Sequence, residues 1–456
     1  MEPTDCNQVS NQQIAIFQVK NKPVIISETK TEVYSNAGFL VLGAIDRKVK
    51  LIDSVMTCFR DAKKNRLESV MDEERIEHSL RDLFCQRVFQ MALGYEDGLD
   101  ANDLRSDKLL QLSVGKTEAL GAQPMMSRME NWSSKSDIWR GWTALVGFYA
   151  KQIHKAGDPV VLEIDSTDDP AHGQLGMFNG YYDEHCFHPL LITETKSGFP
   201  FGVILRSGFV GSAHRAKSIL RRIVRDLRAA IPDVEIIVKG DCAFGNGKLL
   251  NWCDEAGVDC LLGLAGNSVL YKKVSELKQE VLKEYEKDKK PLQRFMSLMY
   301  RADGWTRDRD VVAKVEHTPE GINIRFVVSS MKAEDPECLY DSYQTRAKGI
   351  EAVIEQMKNG LRFDKTACHK RTPNQMRYFE SALAWILHIK LQEKMKKKMK
   401  ECPRASTASE GLPTVQTLIQ KVLKVAAIVK ESVRRFVIEL SCSDPHTELL
   451  LYALQS

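Results

Sequence analysis

Apolar residues recur along this chain in two rhythms, and the change from one to the other divides it. From Gly38 to Leu93 the spacing is helical. Phe39, Leu40, Leu42 and Ile45 form one stripe, and Leu80, Leu83, Phe84, Val88, Phe89 and Leu93 form another, with Gly94 placed to close the second helix. The residues before Asn36 are polar and irregular, although the Val and Ile content of residues 19–33 allows a short hairpin or an extended arm. Beyond Gly94, Asp100 is placed to cap a short helix carrying Leu104 and Leu109. Pro124 to Trp132 reads as another short helix, and Ser136 to His154 as a longer one with Trp139, Trp142, Leu145, Val146 and Tyr149 on one side. Short helices separated by turns, the last bearing Ser127, Arg128 and Asn131, suit a helix-turn-helix DNA reader, and equally any small helical domain.

At Val160 the pattern becomes that of an α/β protein. Val160 to Ile164 is an apolar, β-branched run that stops in a cluster of carboxylates, Asp165, Asp168 and Asp169, followed by Pro170. His185 to Thr193 and Phe201 to Leu205 read as an antiparallel hairpin about a turn at Lys196-Ser197-Gly198. Ala213 to Ala229 is an amphipathic helix, with Ile219, Leu220, Ile223 and Leu227 on one side and Arg221, Arg222, Arg225 and Arg228 on the other. Val234 to Val238 is a strand stopping at Lys239-Gly240-Asp241; a helix from Lys248 to Ala256 and a strand from Asp259 to Leu264 follow. The order strand, strand, strand, helix, strand, helix, strand is that of an RNase H-like α/β core. A doubly wound parallel sheet would need helices between the first three strands, and the tight turn at Gly198 leaves no room for one.

The later part reads less regularly. Residues 267–290 form a charged helix, and 294–316 hold Trp305 among Arg301, Arg307 and Arg309; together they resemble an insertion into the α/β core. Ile322 to Ser329 is a further strand and Gly349 to Lys358 begins a helix. An apolar helix with Leu383, Trp385, Ile386 and Leu387 is flanked by Lys365, Lys370, Arg371 and Arg377 before it and by lysines from Lys390 to Lys400 after it. Such runs are usually solvated and also suit a duplex backbone. Pro403 to Pro413 is linker-like, Thr414 to Val429 is expected as a helix, and Val433 to Leu440 as a strand packing back on the core. The expected division is therefore a mainly helical DNA-binding or association domain at 1–135, catalytic segments at 136–266 and 321–402 around an insertion at 267–320, and a linker with a terminal helix and strand at 403–456.

Composition narrows the classes. A chain of 456 residues with 43% hydrophobic content can bury a sizeable core and form roughly two to four domains. No apolar run is long enough to span a bilayer, and Met1-Glu2-Pro3-Thr4-Asp5 lacks the pattern of a secretory signal. The 11 cysteines include no Cys-x-x-Cys pair, and Cys85, Cys253 and Cys260 lie among apolar residues, which favours a reducing cytoplasm and no structural zinc. The net charge is only +4, so any preference for nucleic acid must come from where the basic residues lie.

The acidic strand end carries the chemistry. Clustered carboxylates resist ionisation unless a cation neutralises them, and hard divalent metals prefer oxygen ligands. Asp165 and Asp241, each ending a buried strand, supply two candidate ligands. A site holding two metals roughly 3.5–4 Å apart needs a third carboxylate, and a helix facing the sheet is the natural place for it. In Leu339 to Lys358, Glu351 and Lys358 lie seven residues apart on one helical face, so a metal ligand and a phosphate-binding cation would point the same way. Glu355 is the fallback ligand. Asp168 and Asp169 suit a turn better than ligation. His172, His185 and His188 suit strand packing, since imidazole favours zinc over magnesium.

Tyr343, Arg346, Glu351 and Lys358 resemble the Tyr, Arg, Glu, Lys signature of DDE transposases of bacterial insertion sequences, specifically the insertion-sequence 1380 group within transposase DDE domain group 1. The interval from Arg346 to Glu351 is one residue longer than the usual pattern. Gly94-Tyr95-Glu96-Asp97, Ser127 to Asn131, Ile164 to Pro170, Phe178 to Tyr182, Lys239 to Phe244, Cys368-His369 and Asn374 to Arg377 are similar to the same group, so the resemblance runs from about Gly38 to near the carboxyl end. It implies a catalytic triad of Asp165, Asp241 and Glu351 binding two Mg²⁺ ions, with Mn²⁺ able to substitute. It further implies cleavage of double-stranded DNA at terminal inverted repeats, transfer of the freed 3′-hydroxyl into target DNA, and a homodimer in the synaptic complex. Tyr343, Arg346 and Lys358 would then contact phosphates, and Trp305 could stack on an unpaired base or pack in the core. Location would be the bacterial cytoplasm, at the nucleoid. A catalytically inactive DNA-binding repressor, or an RNase H-like nuclease without strand transfer, are the alternatives.

Overall fold

The computed structural model describes residues 14–19, 21–26, 31–59, 77–171, 175–331, 335–401, 413–441 and 447–455. The expected amino-terminal hairpin is present as β1 (Ile14–Val19) and β2 (Lys22–Ile26). A helical part follows: α1 (Gly38–Val49), α2 (Leu51–Met56), α3 (Leu80–Ala92), α4 (Asp100–Leu104), α5 (Lys108–Val114), α6 (Gln123–Trp132) and α7 (Lys135–Gln152). Asp100 does not cap the helix it begins; its carboxylate accepts the Asp97 amide instead. The apolar pattern from Leu104 to Leu109 spans two helices, because Asp107 caps α5 through the amides of Leu109 and Leu110. Reciprocal Ser and Asp caps start α3 (Ser79, Asp82) and α7 (Ser134, Asp137).

The part that follows is a mixed α/β unit. Its strands are β3 (Val160–Ser166), β4 (Asp169–Pro170), β5 (Met177–Asn179), β6 (Glu184–Phe187), β7 (Leu190–Glu194) and β8 (Pro200–Ile204). After α8 (Ala216–Ala230) come β9 (Ile236–Gly240), α9 (Gly247–Ala256) and β10 (Asp259–Leu264). The run expected as one strand from His185 to Thr193 is broken at His188-Pro189. Its first half, β6, joins a small three-stranded sheet with β4 and β5, and its second half, β7, enters the main sheet. Proline has no amide to donate and fixes its own φ, so the ladder parts there.

The main sheet has eight strands in the order β11-β12-β13-β10-β9-β3-β7-β8. β3, β9 and β10 run parallel as central strands, and β7 pairs antiparallel with both β3 and β8. Residues 267–290 fold as two helices, α10 (Ser268–Lys273) and α11 (Ser275–Asp288), because Val274 separates them. The segment read as an insertion then supplies β11 (Leu292–Tyr300) and β12 (Arg309–Thr318). With β13 (Gly321–Ser329), these extend the same sheet past β10.

α12 (Pro336–Gln344), a short 3₁₀ turn (Thr345–Lys348) and α13 (Ile350–Leu361) follow, α12 packing against β11 and β12 and α13 against β3 and β7. α14 (Arg371–Glu401) is the longest helix, and Tyr378, Phe379, Leu383, Ile386 and Leu387 are among its many buried residues. It is enclosed by α3 and α7 on one side and by the sheet on the other, which explains a pattern apolar nearly all round rather than along one stripe. Phe379 packs between Phe59 and Trp142, tying the helical part to the α/β part.

The expected linker at 403–413 lies almost wholly outside the described residues. The helix expected over Thr414 to Val429 stops early: α15 (Val415–Leu418) runs into a π-helical turn ending at Leu423. β14 (Ala427–Ser432) then pairs with β15 (Arg435–Leu440), and α16 (Thr447–Gln455) follows. The β-branched run Ile428-Val429 favours a strand over the end of a helix. This hairpin does not enter the main sheet, but it packs back on the core as expected: Ala427 is bridged to Tyr34, and Val429, Ile438 and Leu440 lie against the core. Among the described residues no helix is long and apolar enough to cross a membrane.

Candidate active site

β3 and β9 pair in parallel with Ile164 opposite Gly240. The next residue on each chain is Asp165 and Asp241, so the two carboxylates leave neighbouring central strands at the same end of the sheet. Asp165 Oδ1 accepts the Ser166 amide at 2.7 Å, and Asp241 Oδ1 accepts the Ala243 amide at 3.0 Å. The segment from Tyr343 to Lys358 closes over this edge. Arg346, buried on the 3₁₀ turn, donates from Nη2 to Asp165 Oδ2 at 3.0 Å. Its guanidinium carbon lies 5.7 Å from the centre of the Tyr343 ring. The Tyr343 hydroxyl packs where a side chain on Gly263 would fall: a Cβ there would meet it, and the Cys242 amide, at 2.6 Å.

Glu351 lies exposed in the first turn of α13, and its negative charge is felt at both Asp165 and Arg346. Burial first, and then the nearby Asp241 and Glu351 charges, push the Asp165 carboxyl up to about 6, against the lowering effect of Arg346. Arg346 is shifted upward despite its burial, because Asp165, Tyr343, Asp241 and Glu351 surround it with negative potential. Both shifts are upward, which disfavours the charged form of the acid and favours that of the base. The arginine remains charged either way, so the carboxylate's shift is the informative one: a single guanidinium does not offset the burial of this carboxylate beside two further acids.

Whether these residues fit a divalent cation follows from the same observations. The donors are hard carboxylate oxygens on adjacent strands and a facing helix, and a cation would restore the charged form of Asp165 that burial disfavours. The set fits in donor type and placement. It is not a finished cage: among the described residues no three His, Cys, Asp or Glu side chains already stand in a ligating group, and Arg346 engages one oxygen of Asp165.

Lys358, two turns along α13 from Glu351, bonds Asp168 Oδ1 at 2.8 Å and lies 3.9 Å from Asp364 Oδ2. Burial works against the charge of Asp168, but the Lys358 bond and charge outweigh it and hold the carboxyl below its usual value. Asp168 is therefore more than a turn residue. Asp169 is fully buried, and its Oδ2 accepts the Thr366 hydroxyl at 2.8 Å and the Tyr378 hydroxyl. Of the histidines, His188 Nδ1 lies 2.9 Å from the Val210 carbonyl oxygen and His185 packs edge-on to Phe178. His172 lies outside the described residues.

The remaining expected DNA contacts lie elsewhere. Arg128 and Asn131 are exposed on α6, Arg128 Nη1 3.7 Å from Met125 Sδ and Asn131 donating to the Ser127 carbonyl at 2.8 Å. Trp305 departs from the base-stacking expectation. It is 5% exposed, edge-on to Tyr300 and beneath the Arg309 guanidinium, so neither indole face is open to a base. Its arginine neighbours are occupied too, since Arg307 and Arg309 both pair with Asp254. Sequence reasoning passed over Glu163, Lys239 and Asp364. The signal for the first two was available: each is a charged residue inside an otherwise apolar strand, two positions before a candidate acid.

This constellation, acids at the ends of adjacent central strands opposed by an acidic helix, is accompanied by a family match that places the chain among the DDE transposases. It belongs to the transposase DDE domain group 1 family, whose model matches residues 17–456. Among solved structures it is similar to a piggyBac transposase in a synaptic complex with hairpin DNA, at 12% identity, over 85% of this chain and 79% of that one, with a TM-score of 0.42. No curated protein matches it.

Proposed function

We propose that this transposase acts by cut-and-paste, with an RNase H-like core and a triad of Asp165, Asp241 and Glu351, and that it falls in the insertion-sequence 1380 group. The strand order β8-β7-β3-β9-β10, with β7 alone reversed among these five, supports the RNase H-like reading. The observation that carries the site assignment is the exit of Asp165 and Asp241 from paired parallel strands at one end, with the charge of Glu351 reaching Asp165.

The triad would hold two Mg²⁺ ions, or Mn²⁺ in their place, which when bound activate the attacking oxygen and stabilise the leaving one. The chain's own groups would position DNA. Arg346 has a buried Nε without an acceptor, suited to a phosphate oxygen, while Nη2 keeps its hold on Asp165. Tyr343 would orient that guanidinium, and Lys358, tethered by Asp168, would neutralise a neighbouring phosphate. Water attack would free a 3′-hydroxyl at each terminal inverted repeat, and that hydroxyl would then attack a target phosphodiester in line. Arg128 and Asn131, within residues 1–135, would contact duplex outside the core, and a homodimer would bring two ends together at the nucleoid.

The test is Mg²⁺-dependent nicking of a duplex carrying the element's terminal repeats. Wild type cleaves and joins, whereas Asp165→Asn binds without nicking; a variant that still cleaves would remove Asp165 from the site. A wild-type protein that shifts the duplex without nicking it would instead favour the repressor reading, for which the guanidinium already seated on Asp165 is the supporting observation.

A further inference from the structure

Directly beneath the acidic pair lies a second pair of charged residues that the reaction itself does not use. Side chains alternate along a strand, so Glu163 shares a face with Asp165 and Lys239 points to the same side as Asp241. Glu163 and Lys239 are register partners across β3 and β9. Both are buried, an expensive place for charge unless each has a structural partner. Each finds that partner in the segment that carries Arg346 and Glu351. Glu163 Oε2 accepts the Ile350 amide at 2.7 Å, at the first residue of α13. Lys239 Nζ donates to the Ser342 carbonyl at 2.9 Å and reaches Ser342 Oγ at 3.3 Å and Thr345 Oγ1 at 3.4 Å.

The fit at Gly349 is close. A Cβ there would lie 2.1 Å from Glu163 Oε2 and 2.8 Å from its Cδ. The glycine therefore belongs to the same device: the carboxylate can reach the start of α13 only because residue 349 has no side chain. A buried anion at a helix N-terminus is also favoured by the helix dipole.

We infer that Glu163 and Lys239 are positioning residues. They form a buried platform, one layer below Asp165 and Asp241, that fixes the 342–350 segment and so sets where Glu351 and Arg346 stand over the acidic pair. The inference rests on the triad reading above. It also gives the additional residue between Arg346 and Glu351 a definite place, since the start of α13 is pinned by a bond from the sheet at Ile350.

Glu163→Met keeps the volume and removes the acceptor, whereas Glu163→Gln keeps an oxygen for the Ile350 amide. Glu163→Met is expected to lower kcat for end cleavage roughly ten- to hundredfold, with a smaller rise in KM for DNA as Arg346 shifts, because misplacement of a reacting group costs rate more than binding. Hydrogen exchange in a peptide covering residues 345–353 should quicken in that variant, and both effects should be largely reversed in Glu163→Gln. Gly349→Ala should reproduce the kcat loss, and Glu163→Met with Gly349→Ala should be no worse than Glu163→Met alone, since the two changes break one contact. Melting temperature, read in parallel, separates a displaced helix from an unfolded chain; if Glu163→Met fails to fold, the exchange and kcat of Gly349→Ala carry the test. Unchanged exchange in the 345–353 peptide, or fully additive rate losses, would overturn the inference. Failure of the triad reading appears differently, as cleavage surviving Asp165→Asn, and leaves the exchange result standing.

Discussion

Asp169 offers a sharp physical test of the packing around the site. It is wholly buried, and burial, before any other influence, lifts its carboxyl from 3.8 to about 7; the hydroxyls of Tyr378 and Thr366 oppose this and the Asp364 charge adds to it. Its Oδ1 has no partner among the described residues, as suits a group that carries a proton. The folded chain therefore binds this proton more tightly than the unfolded chain does. The resulting stability is fully present below about pH 4, declines as the pH rises, and is gone above about pH 7. A rise from 3.8 to about 7 corresponds to roughly 4 kcal/mol at most. Asp169→Asn removes the titration but keeps an oxygen to accept both hydroxyls. In denaturant unfolding at successive pH values, the variant should match wild type near pH 4, apart from a constant offset, and gain on it by up to roughly 4 kcal/mol by pH 8. Taking the difference cancels every other titrating group. Parallel curves for the two proteins would refute the assignment of a buried, proton-holding Asp169.

Three further outcomes follow from the packing. Arg87, wholly buried, lies 3.3 Å from Glu130 and 3.9 Å from Glu380, so Arg87→Ala takes the guanidinium from a buried Glu130 and should cost roughly 3–5 kcal/mol in denaturant unfolding; a loss under about 1 kcal/mol would show that the pairing is dispensable. Trp305→Ala should destabilise by roughly 3–5 kcal/mol while leaving DNA affinity at a permissive temperature unchanged, and weaker binding by a variant of wild-type stability would return Trp305 to the DNA surface. Lys358→Gln should weaken DNA binding and reduce the slope of log affinity against log salt by about one, the signature of a lost phosphate contact; an unaltered slope would leave Lys358 as only the partner of Asp168.

Much of the α/β unit was legible because its strands are short apolar runs closed by unambiguous turns. Val160 to Ser166 and Asp259 to Leu264 fall where the pattern puts them. The errors have local physical causes. Pro189 splits a run that looks continuous, and Val274 divides one charged helix into two. The β-branched pair Ile428-Val429 turns the end of an expected helix into a strand. The pairing of β11 and β12 with β13 could not be read, because alternation along a strand does not say which neighbour it joins. Asp165 and Asp241 were visible as acids ending buried strands. The bonds from Glu163 and Lys239 beneath them to the 342–350 segment were not, since those partners lie 187 and 103 positions away. For Trp305 the sequence left base stacking and core packing both open, and the second holds: arginines around an indole look like a nucleic-acid surface until Asp254 is seen to engage them.

The span of the Arg346 to Asp165 bond, 181 residues, has a consequence for when the protein becomes competent. Strands β3 and β9 can pair early in synthesis, but α13 and the guanidinium arrive only after four further strands have emerged. Closing so long a loop is a late and slow event in folding. During translation the nascent chain would present two neighbouring acids with neither their counter-charge nor their third partner. A chain cut short before residue 346 should fold part of the sheet and keep the amino-terminal helices, yet fail to cut DNA, so that premature termination yields fragments that are not unregulated nucleases.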